Sequence, residues 1–370
     1  MDNDAHALLG GTMDILIGLM SGTSLDGVDV AAIETDGRSQ VRSLCFESLA
    51  YGDAFRDRLR QLLNEPDDPS SAEVERELTL HHAEAVERLL GQGNLPRKAI
   101  RAIGFHGQTI RHDPAQRYTW QMGDGSLLSQ QLGISVVTDF RTADVRAGGQ
   151  GAPLAPIYHA VKAADLEKPV AVLNLGGVGN VTWVGSKPEA ILAFDTGPGN
   201  ALIDDWIYRA IGQACDLGGM LAERGSVDPI VLSELMAHPY FEDHPPKSLD
   251  RNSFSVSRLE GMSVEDGAAT LTAFTAAAVT RAQAFFPGPA SRWLVCGGGR
   301  HNPTIMKALA RELAGPVEPV EAVGWNGDAL EAECFAYLAS RSLQGLPISF
   351  PSTTGVSRPM RGGRLHAATV

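Results

Sequence analysis

Long apolar runs are absent from this sequence of 370 residues. No stretch of about 18 apolar residues occurs, which excludes a transmembrane helix. The first residues, MDNDAHALLGGTMD, carry acids where a secretory signal peptide carries Lys or Arg, and their apolar stretch is short. We therefore expect the protein to lie in the cytoplasm and to have no membrane partner.

Cysteines are scarce and far apart: Cys45, Cys215, Cys296 and Cys334. No two of them form a C-x-x-C pair, which argues against a zinc ribbon and against a dithiol redox centre. Four cysteines in a chain of this length do not resemble the framework of a disulfide-rich protein, so a reducing compartment is the simpler interpretation.

Basic residues are outnumbered, with 31 Lys and Arg against 44 Asp and Glu and a formal net charge of −13. A protein of this charge repels polyanions at long range, which argues against sequence-independent nucleic-acid binding and against an anionic membrane surface. A small phosphate ligand is not excluded, because backbone N–H groups bind phosphate without any net positive charge.

The common nucleotide and hydrolase motifs are missing as well. The chain has no G-x-x-x-x-G-K-[ST] loop, no G-x-G-x-x-G fingerprint, no H-E-x-x-H pair and no G-x-S-x-G elbow. A Walker P-loop and a Rossmann dinucleotide site are therefore not predicted. If the chain binds a nucleotide, it uses another device.

Glycine, in contrast, is abundant, with 40 residues in several clusters. The clusters follow short β-like runs, which is typical of turns at the ends of sheet strands. Residues 15–20 and 28–33 read as two strands joined by a turn at Asp26-Gly27, which predicts a β-hairpin. The same pattern recurs near residue 170, where VAVLNLGG precedes VGNVTWV, and the recurrence suggests an internal duplication.

Helix capping signals alternate with these strands, so the chain is predicted to be an α/β protein. Four helices are expected to begin after Ser70, Ser263, Asn302 and Asp328 and to end near Gly91, Pro287, Gly315 and Gly345. The phrase GGQGAPLAP is the predicted domain boundary. The resulting division is a disordered extension over 1–12, domains over 13–150 and 151–350, and a loosely held, polar C-terminal tail over 351–370.

Three glycine-rich turns have the chemistry of phosphate or nucleotide sites. MSGTSLDG (residues 20–27) and NLGGVGN (174–180) are hairpin turns whose N–H groups and hydroxyls can face phosphates. CGGGRHNP (296–303) ends a strand and opens a helix, where side-chain-free glycines leave room for a base or ribose. Taken one at a time, each could equally be an ordinary turn of an α/β protein.

Six phrases, in order, resemble the anhydro-N-acetylmuramic acid kinases of the sugar kinase/Hsp70/actin superfamily. The phrases read MSGTSLDGVD, GFHGQTIRH, VTDFRTADVRAGGQGAPLAP, LNLGGVGNVT, FDTGPGNALIDDW and VCGGGRHNP, and the resemblance as a whole runs from about residue 15 to residue 339. The resemblance implies an α/β fold of two ribonuclease-H-like domains flanking an active-site cleft, and a homodimer. It also implies conversion of 1,6-anhydro-N-acetylmuramic acid, ATP and water into N-acetylmuramic acid 6-phosphate and ADP, in peptidoglycan recycling.

The resemblance names a catalytic base and a set of ligands. Asp195 is the expected base, although an Asp before Thr-Gly is often only an Asx-turn or N-cap residue. The residues expected to bind ATP are Gly22, Thr23, Ser24, Leu25, Asp26, Gly27, Val28, Asp29, Gly176, Gly177, Gly297, Gly298, Gly299 and Asn302. Those expected to bind the anhydro-sugar are His106, Gln108, Arg141, Asp144, Gly197 and Asn200.

Three of these assignments leave an alternative open. Arg141 can bind the lactyl carboxylate of the substrate through its bidentate fork, or it can pair with Asp144 as a structural ion pair. Related kinases carry an Asp in the position of Met20, so the ligands of Mg²⁺ are in doubt; Asp26 and Glu331 are the candidates. Glu331, three residues after Asp328, has the spacing of a capping box instead.

Three rival functions fit parts of this pattern. One is a kinase of the same family that acts on an anhydro-sugar without a carboxylate, such as levoglucosan. The second is a plain kinase in which Asp195 deprotonates a sugar hydroxyl. The third is an ATPase module of the actin/Hsp70 type, which would carry partner-binding segments that are not visible in this chain.

Overall fold

The computed structural model describes residues 12–22, 25–187, 190–249 and 253–368, which form two compact units. The first unit comprises the described residues up to Ala164, Ala329–Pro351, and those from Val356 onward. The second comprises Asp165–Asp328 and Ser352–Gly355. Except for Thr12, the predicted disordered extension over 1–12 lies outside the described residues.

Strands and helices alternate in both units, as predicted. The strands are β1 (Asp14–Ser21), β2 (Gly27–Thr35), β3 (Val41–Ala50), β4 (Ile100–Asp113), β5 (Tyr118–Met122), β6 (Val136–Thr138), β7 (Val170–Leu175), β8 (Val178–Val184), β9 (Ile191–Pro198), β10 (Arg292–Cys296), β11 (Val317–Pro319) and β12 (Arg364–His366). The helices are α1 (Asp53–Asn64), α2 (Ser71–Gln92), α3 (Gly125–Leu132), α4 (Thr142–Arg146), α5 (Pro156–Lys162), α6 (Ala201–Ile211), α7 (Met220–Arg224), α8 (Pro229–Met236), α9 (Val264–Ala282), α10 (Pro303–Glu312), α11 (Leu330–Leu343) and α12 (Pro351–Thr354). None of the described helices is long and apolar enough to cross a membrane.

The two sheets share a common five-stranded arrangement, to which the first sheet adds β5 and β12. In the first unit the strand order is β12-β6-β4-β1-β2-β3, with β5 paired to β4; β1, β2 and β3 are antiparallel, and β4 runs parallel to both β1 and β6. In the second unit the order is β11-β10-β7-β8-β9, again with three antiparallel strands followed by two parallel ones. This is the ribonuclease-H-like arrangement, and both predicted hairpins are confirmed.

Helix α11 lies so close to the first sheet that two strands must carry glycine where they face it. A Cβ on Gly18 in β1 would overlap the carbonyl oxygen of Ala332, and one on Gly104 in β4 would overlap that of Phe335. The helix also fixes the β2–β3 turn, because the hydroxyl of Tyr337 donates to the carbonyl of Arg38 at 2.9 Å. These contacts make α11 part of the first unit.

The predicted domain boundaries therefore need two corrections. The first unit extends to Ala164 rather than to residue 150, and Ala329–Pro351 belongs to it rather than to the second unit. The helical pattern of residues 330–343 predicts that a helix forms but not which sheet it covers. Its partners, Gly18 and Gly104, lie more than two hundred residues earlier in the chain.

The prediction of a loosely held C-terminal tail over 351–370 is wrong for the described residues, which end at Ala368. Strand β12 pairs antiparallel with β6, and the ring of His366 forms hydrogen bonds of 2.9 Å with Ser126 and Thr138. Upstream, the backbone N–H of Ile348 donates to the carbonyl of Met360 at 2.8 Å. The strand has three residues, and Leu365 is 53% exposed, so no alternation of buried and exposed residues marks it in the sequence.

Two of the four predicted helix starts are confirmed by their caps. The hydroxyl of Ser263 accepts the N–H of Asp266 at 3.0 Å, and Asn302 caps α10 ahead of Pro303. Ser70 makes no side-chain cap on α2, and Asp328 does not cap α11, because its carboxylate pairs with Arg300 at 2.8 Å. The expected ends are close but not identical: α2 ends at Gln92, α9 at Ala282, α10 at Glu312 and α11 at Leu343.

We expect Gly104→Ala to destabilise the protein strongly, because the new methyl group must displace helix α11 from the sheet. Overpacking of this kind costs about 1–3 kcal/mol. The matched control is Gly91→Ala, since Gly91 lies in α2 with nothing within 4 Å of an added Cβ; it should stabilise the helix by about 0.8–1 kcal/mol. Urea unfolding checks both variants, and equal stability of the two would contradict the close approach.

Candidate functional site

Asp195 lies inside strand β9, where it is paired with Asn180 of β8. Its side chain is half-buried, and Oδ2 accepts a hydrogen bond of 2.8 Å from the backbone N–H of Leu249. Helix α6 begins after Asn200, five residues later. The carboxylate is therefore neither the cap of that helix nor an Asx-turn acceptor, and the structural alternative for Asp195 is wrong.

Burial raises the pKa of Asp195 to about 7, and the hydrogen bond from Leu249 only partly opposes this. Burial disfavours the charged carboxylate because the surrounding protein solvates charge less well than water. A carboxylate with this pKa can exchange a proton near neutral pH, as a general base must.

The main chain around Asp195 is held by a segment that the sequence did not single out. The N–H of Asp195 donates to the carbonyl of Lys247 at 3.1 Å, and the hydroxyl of Tyr240 donates to the carbonyl of Asp195 at 2.5 Å. Neither contact has a sequence signal, because both partners lie more than forty residues away in a stretch without regular strands.

The predicted glycine-rich ligands of the second unit are brought together at one edge of its sheet. Gly176 and Gly177 form the turn between β7 and β8, and Gly297–Gly299 follows the end of β10. Asn200 connects to this turn: its Nδ2 donates to the carbonyl of Leu175 at 2.9 Å, and its N–H donates to that of Gly176 at 2.8 Å. The carboxyl ends of parallel strands are a common place for ligands in α/β sheets.

The glycines in these turns differ in how much free space surrounds the position of a Cβ atom. A Cβ on Gly298 or Gly176 would have no protein atom closer than 3.7 Å, and one on Gly177 none closer than 3.5 Å. Gly297, in contrast, has a φ of +73° and would meet the Leu175 backbone at 2.8 Å, and Gly299 would meet the Leu175 side chain at 2.6 Å. Space for a ligand is thus left at Gly176, Gly177 and Gly298, while Gly297 and Gly299 are required for packing.

Two neighbouring polar groups brace the third turn. The side-chain oxygen of Asn302 accepts the N–H groups of Thr304 and Ile305 at 3.0 and 3.1 Å, so it acts as a helix cap. Arg300, which sequence reasoning missed, donates to the carbonyl of Gly297 at 3.0 Å and pairs with Glu321 and Asp328.

Gly197, also a predicted ligand, has a φ of +151°, and its added Cβ would lie 2.8 Å from Ala278 of α9.

In the first unit, the β1–β2 hairpin is the predicted phosphate turn. Thr23 and Ser24 lie outside the described residues. Leu25 has a left-handed backbone (φ 59°) and a buried side chain, and Val28 is also buried, so these two can offer a ligand only their main chain. Asp26 is exposed at the turn, Asp29 is half-buried opposite Met20, and a Cβ on Gly27 would overlap the carbonyl oxygen of Leu49.

Arg141, at the start of α4, is half-buried, and two of its three guanidinium nitrogens are hydrogen-bonded within the first unit. Nε donates to Nε2 of His106 at 3.0 Å, and Nη1 donates to the carbonyl of Gly151 at 2.7 Å. Nη2 donates to no other described residue. Burial lowers the pKa of Arg141, while the carboxylate of Glu331 acts in the opposite direction.

His106 and Gln108 are buried in β4 and are occupied by the protein itself. Nδ1 of His106 donates to the carbonyl of Gly107 at 2.7 Å, and Nε2 accepts from Arg141, which requires a neutral ring. Burial and the charge of Arg141 both lower the pKa of His106. Gln108 accepts from the hydroxyl of Ser21 at 2.7 Å. Both residues therefore position their neighbours, and their contact with a sugar stays a prediction.

Asp144 is also a positioning group. Its side chain is 2% exposed, and its Oδ1 accepts the N–H of Gly151 at 2.7 Å. Arg141 binds the carbonyl of the same glycine, so the two side chains clamp the loop that follows α4. The predicted contact of Asp144 with substrate stays a prediction.

A cavity of about 210 Å³ lies in the first unit beside His106. Its lining is mainly polar and includes Thr119, Gln121, Asp139 and Thr142, with the indole of Trp120 among them. Hydroxyl, amide and carboxylate groups next to an aromatic ring are the usual surroundings of a polar ligand with apolar faces.

The metal candidates Asp26 and Glu331 are both exposed, and no group of three or more His, Cys, Asp or Glu side chains among the described residues could hold a metal ion. Mg²⁺ bound together with nucleotide phosphates commonly takes one or two carboxylates and keeps several waters. Single exposed carboxylates fit that mode. Glu331 is the weaker candidate because its charge acts on Arg141.

Comparison with known proteins gives a match over nearly the whole chain. A family model described as Anhydro-N-acetylmuramic acid kinase matches residues 14–368. The protein of that name from Rhodospirillum rubrum is 54% identical over 358 residues, which cover 96% of this chain and 95% of the relative. The one from Zymomonas mobilis is 50% identical over 362 residues, which cover 95% and 99%.

Among solved structures, component A of (R)-2-hydroxyglutaryl-CoA dehydratase from Acidaminococcus fermentans matches 88% of this chain and 99% of its own. It has a TM-score of 0.48 and 12% sequence identity.

We expect Asp195→Asn to stabilise the protein above pH 7. The folded-state pKa of Asp195 is raised, so the folded chain holds a proton that the unfolded chain loses above about pH 4. Wild-type stability therefore falls as pH rises from about 4 to about 7, by about 1–2 kcal/mol for a half-buried group, and Asn removes this loss. Urea unfolding at pH 5 and pH 8.5 checks it; the same stability difference at both values would contradict the raised pKa.

Proposed function

Because this chain belongs to the anhydro-N-acetylmuramic acid kinase family and is therefore a kinase, we propose that Asp195 is the base of a combined hydrolysis and phosphoryl transfer. The substrates are 1,6-anhydro-N-acetylmuramic acid, ATP and water, and the products are N-acetylmuramic acid 6-phosphate and ADP, a step of peptidoglycan recycling. The observation that carries this proposal is the carboxylate of Asp195, whose raised pKa suits proton transfer near neutrality.

The reaction couples two displacements, one at the anomeric carbon of the sugar and one at the γ-phosphorus of ATP. Asp195 takes a proton from a water molecule, whose oxygen attacks the anomeric carbon C1 of the sugar. The C1–O6 bond breaks, and O6 attacks the γ-phosphorus of ATP in line, displacing ADP. The phosphoryl group thus takes the place that a proton from a general acid would fill in ordinary hydrolysis.

The ¹⁸O content of the products tests this mechanism directly. In ¹⁸O-water we expect the label at the C1 hydroxyl of the sugar phosphate and none in phosphate. Asp195→Asn should lower kcat by at least about 100-fold, the low end for loss of general-base catalysis, and leave ATP binding nearly unchanged. Label in free phosphate would instead indicate an ATPase, and unlabelled sugar phosphate would indicate a plain hydroxyl kinase.

ATP is proposed to lie against the open glycines of the second unit, with its phosphates near the turn at Gly176 and Gly177. The adenosine would lie against the exposed Gly298, where the protein leaves space for a flat group. The β1–β2 hairpin of the first unit, with Gly22, Leu25 and Gly27, stays a predicted phosphate turn. No cationic side chain is needed, because N–H groups at such turns bind phosphate.

Gly298→Val should raise the KM for ATP by about tenfold or more, about 1.4 kcal/mol or more of lost binding, because its methyl groups fill the space proposed for adenosine. The fold should tolerate the change, since a Cβ there has no protein atom closer than 3.7 Å. The control is Gly288→Val in the same unit, where nothing lies within 4 Å. Normal ATP binding by a folded Gly298→Val protein would refute the adenosine assignment.

Mg²⁺ is proposed to accompany ATP, with the exposed carboxylate of Asp26 as its protein ligand and Glu331 as the weaker alternative. When bound, the ion would neutralise charge on the phosphates and on the transferring group. A homodimer in the cytoplasm is likewise a proposal, which rests on the family. Apolar side chains left exposed in the second unit are compatible with a dimer contact, including Leu217 at 73% and Ile230 at 70% exposure.

Arg141 is proposed to bind the lactyl carboxylate of the sugar. Two observations support this role: Nη2 has no described acceptor, and His106 and Gly151 hold the other two nitrogens in a fixed orientation. A guanidinium held in this way presents its free edge without further loss of side-chain entropy. The polar cavity beside His106 is a suitable place for the sugar ring.

Arg141→Ala should weaken binding of the anhydro-muramic substrate by about tenfold to 150-fold, the value of about 1.5–3 kcal/mol for a charged hydrogen bond. Arg141→Lys keeps the charge but loses the fork, so it should recover only part of the affinity. Turnover of an anhydro-sugar without a carboxylate should change far less. Equal losses on both sugars, with a lower melting temperature, would show that Arg141 only braces the loop.

A further inference from the structure

A short segment of the second unit, Lys247 to Leu249, runs alongside strand β9 without being a strand itself. The carbonyl of Lys247 accepts the N–H of Asp195 at 3.1 Å, and the N–H of Leu249 donates to Oδ2 of Asp195 at 2.8 Å. The same segment thus fixes both the backbone and the carboxylate of Asp195.

The side chain of Lys247 fastens this segment to an aromatic pair. Its ammonium group donates to the carbonyl of Tyr240 at 2.8 Å. It also lies 4.3 Å from the ring centre of Tyr240 and 4.7 Å from that of Phe285, within the range of cation–π attraction. The amine is therefore held from three directions.

Tyr240 completes a closed chain of contacts. While its ring faces the ammonium of Lys247, its hydroxyl donates to the carbonyl of Asp195 at 2.5 Å. Asp195, Lys247 and Tyr240 are thus each bound to the other two.

Ordinary ion pairing does not explain a cation at this position. Among the described residues no carboxylate forms an ion pair with Lys247, and the nearby Glu242 pairs with Arg281 at 2.6 Å. Burial lowers the pKa of Lys247, an effect that the charges of Asp243 and Glu242 oppose only in part. The partners that remain are the two rings and the carbonyl of Tyr240.

We propose that Lys247 is a positioning residue for Asp195, which acts by clamping the Lys247–Leu249 segment onto Tyr240 and Phe285. This inference rests on the proposed function, in which Asp195 is the base. Lys247 does not touch substrate in this role. Its effect should appear in turnover rather than in nucleotide binding, because a displacement of about 1 Å of a catalytic group costs about 100-fold in rate.

The test compares three variants of the full chain at temperatures well below unfolding. Lys247→Met keeps the length of the side chain but removes its charge, and kcat should fall by at least about tenfold with KM for ATP within about twofold. Lys247→Arg restores a cation over the rings and should recover most of kcat. Lys307→Met is the control, since Lys307 forms an exposed ion pair with Glu223 in the same unit; it should leave both constants unchanged.

Two results would overturn the proposal: a normal kcat in folded Lys247→Met, or a kcat in Lys247→Arg as low as in Lys247→Met. If Lys247→Met does not fold, Tyr240→Phe decides, because it keeps the ring and removes only the hydrogen bond to Asp195; normal turnover there refutes the clamp. Asp195→Asn measured in parallel separates the two hypotheses. An active Asp195→Asn protein would refute the proposed base. An inactive Asp195→Asn protein together with a normal kcat in Lys247→Met would refute only the clamp.

Discussion

The contact between helix α11 and the backbone of strands β1 and β4 is the constraint on which the first unit depends. It exists because Gly18 and Gly104 have no side chain, so the carbonyl oxygens of Ala332 and Phe335 can reach the sheet. The approach sets the position of the Phe335 ring, whose centre lies 4.4 Å from that of His106 and 6.0 Å from the guanidinium carbon of Arg141. The orientation of Arg141 therefore depends on two glycines that make no contact with it.

The shared topology of the two units gives them the same kind of edge, but the edges carry different chemistry. In the first unit it holds an exposed carboxylate at a hairpin turn and a guanidinium fixed by neutral partners. In the second it holds open glycines and a carboxylate that burial makes a weaker acid. The ribonuclease-H-like arrangement supplies the geometry of the turns, and the side chains that follow each strand decide what the turns can bind.

Sequence reasoning predicted the fold well, because glycine turns and strand runs are local patterns. Both hairpins and the caps at Ser263 and Asn302 follow from adjacent residues. It assigned α11 to the wrong unit and missed the hold of Leu249 on Asp195, because those contacts join residues 54 or more positions apart. Gln108 and Asp144 were expected to bind substrate because of the family resemblance; the sequence around them does not reveal that both side chains are buried.

The division among the glycines of the second unit changes what substitution in relatives can reveal. At Gly297 and Gly299 any side chain collides with Leu175. Selection for folding would keep glycine at both positions even in a descendant that had lost its nucleotide. At Gly176, Gly177 and Gly298 the protein itself imposes no such requirement. Relatives in which these three glycines are substituted while Gly297 and Gly299 are retained would therefore be proteins that keep the fold but no longer bind the nucleotide.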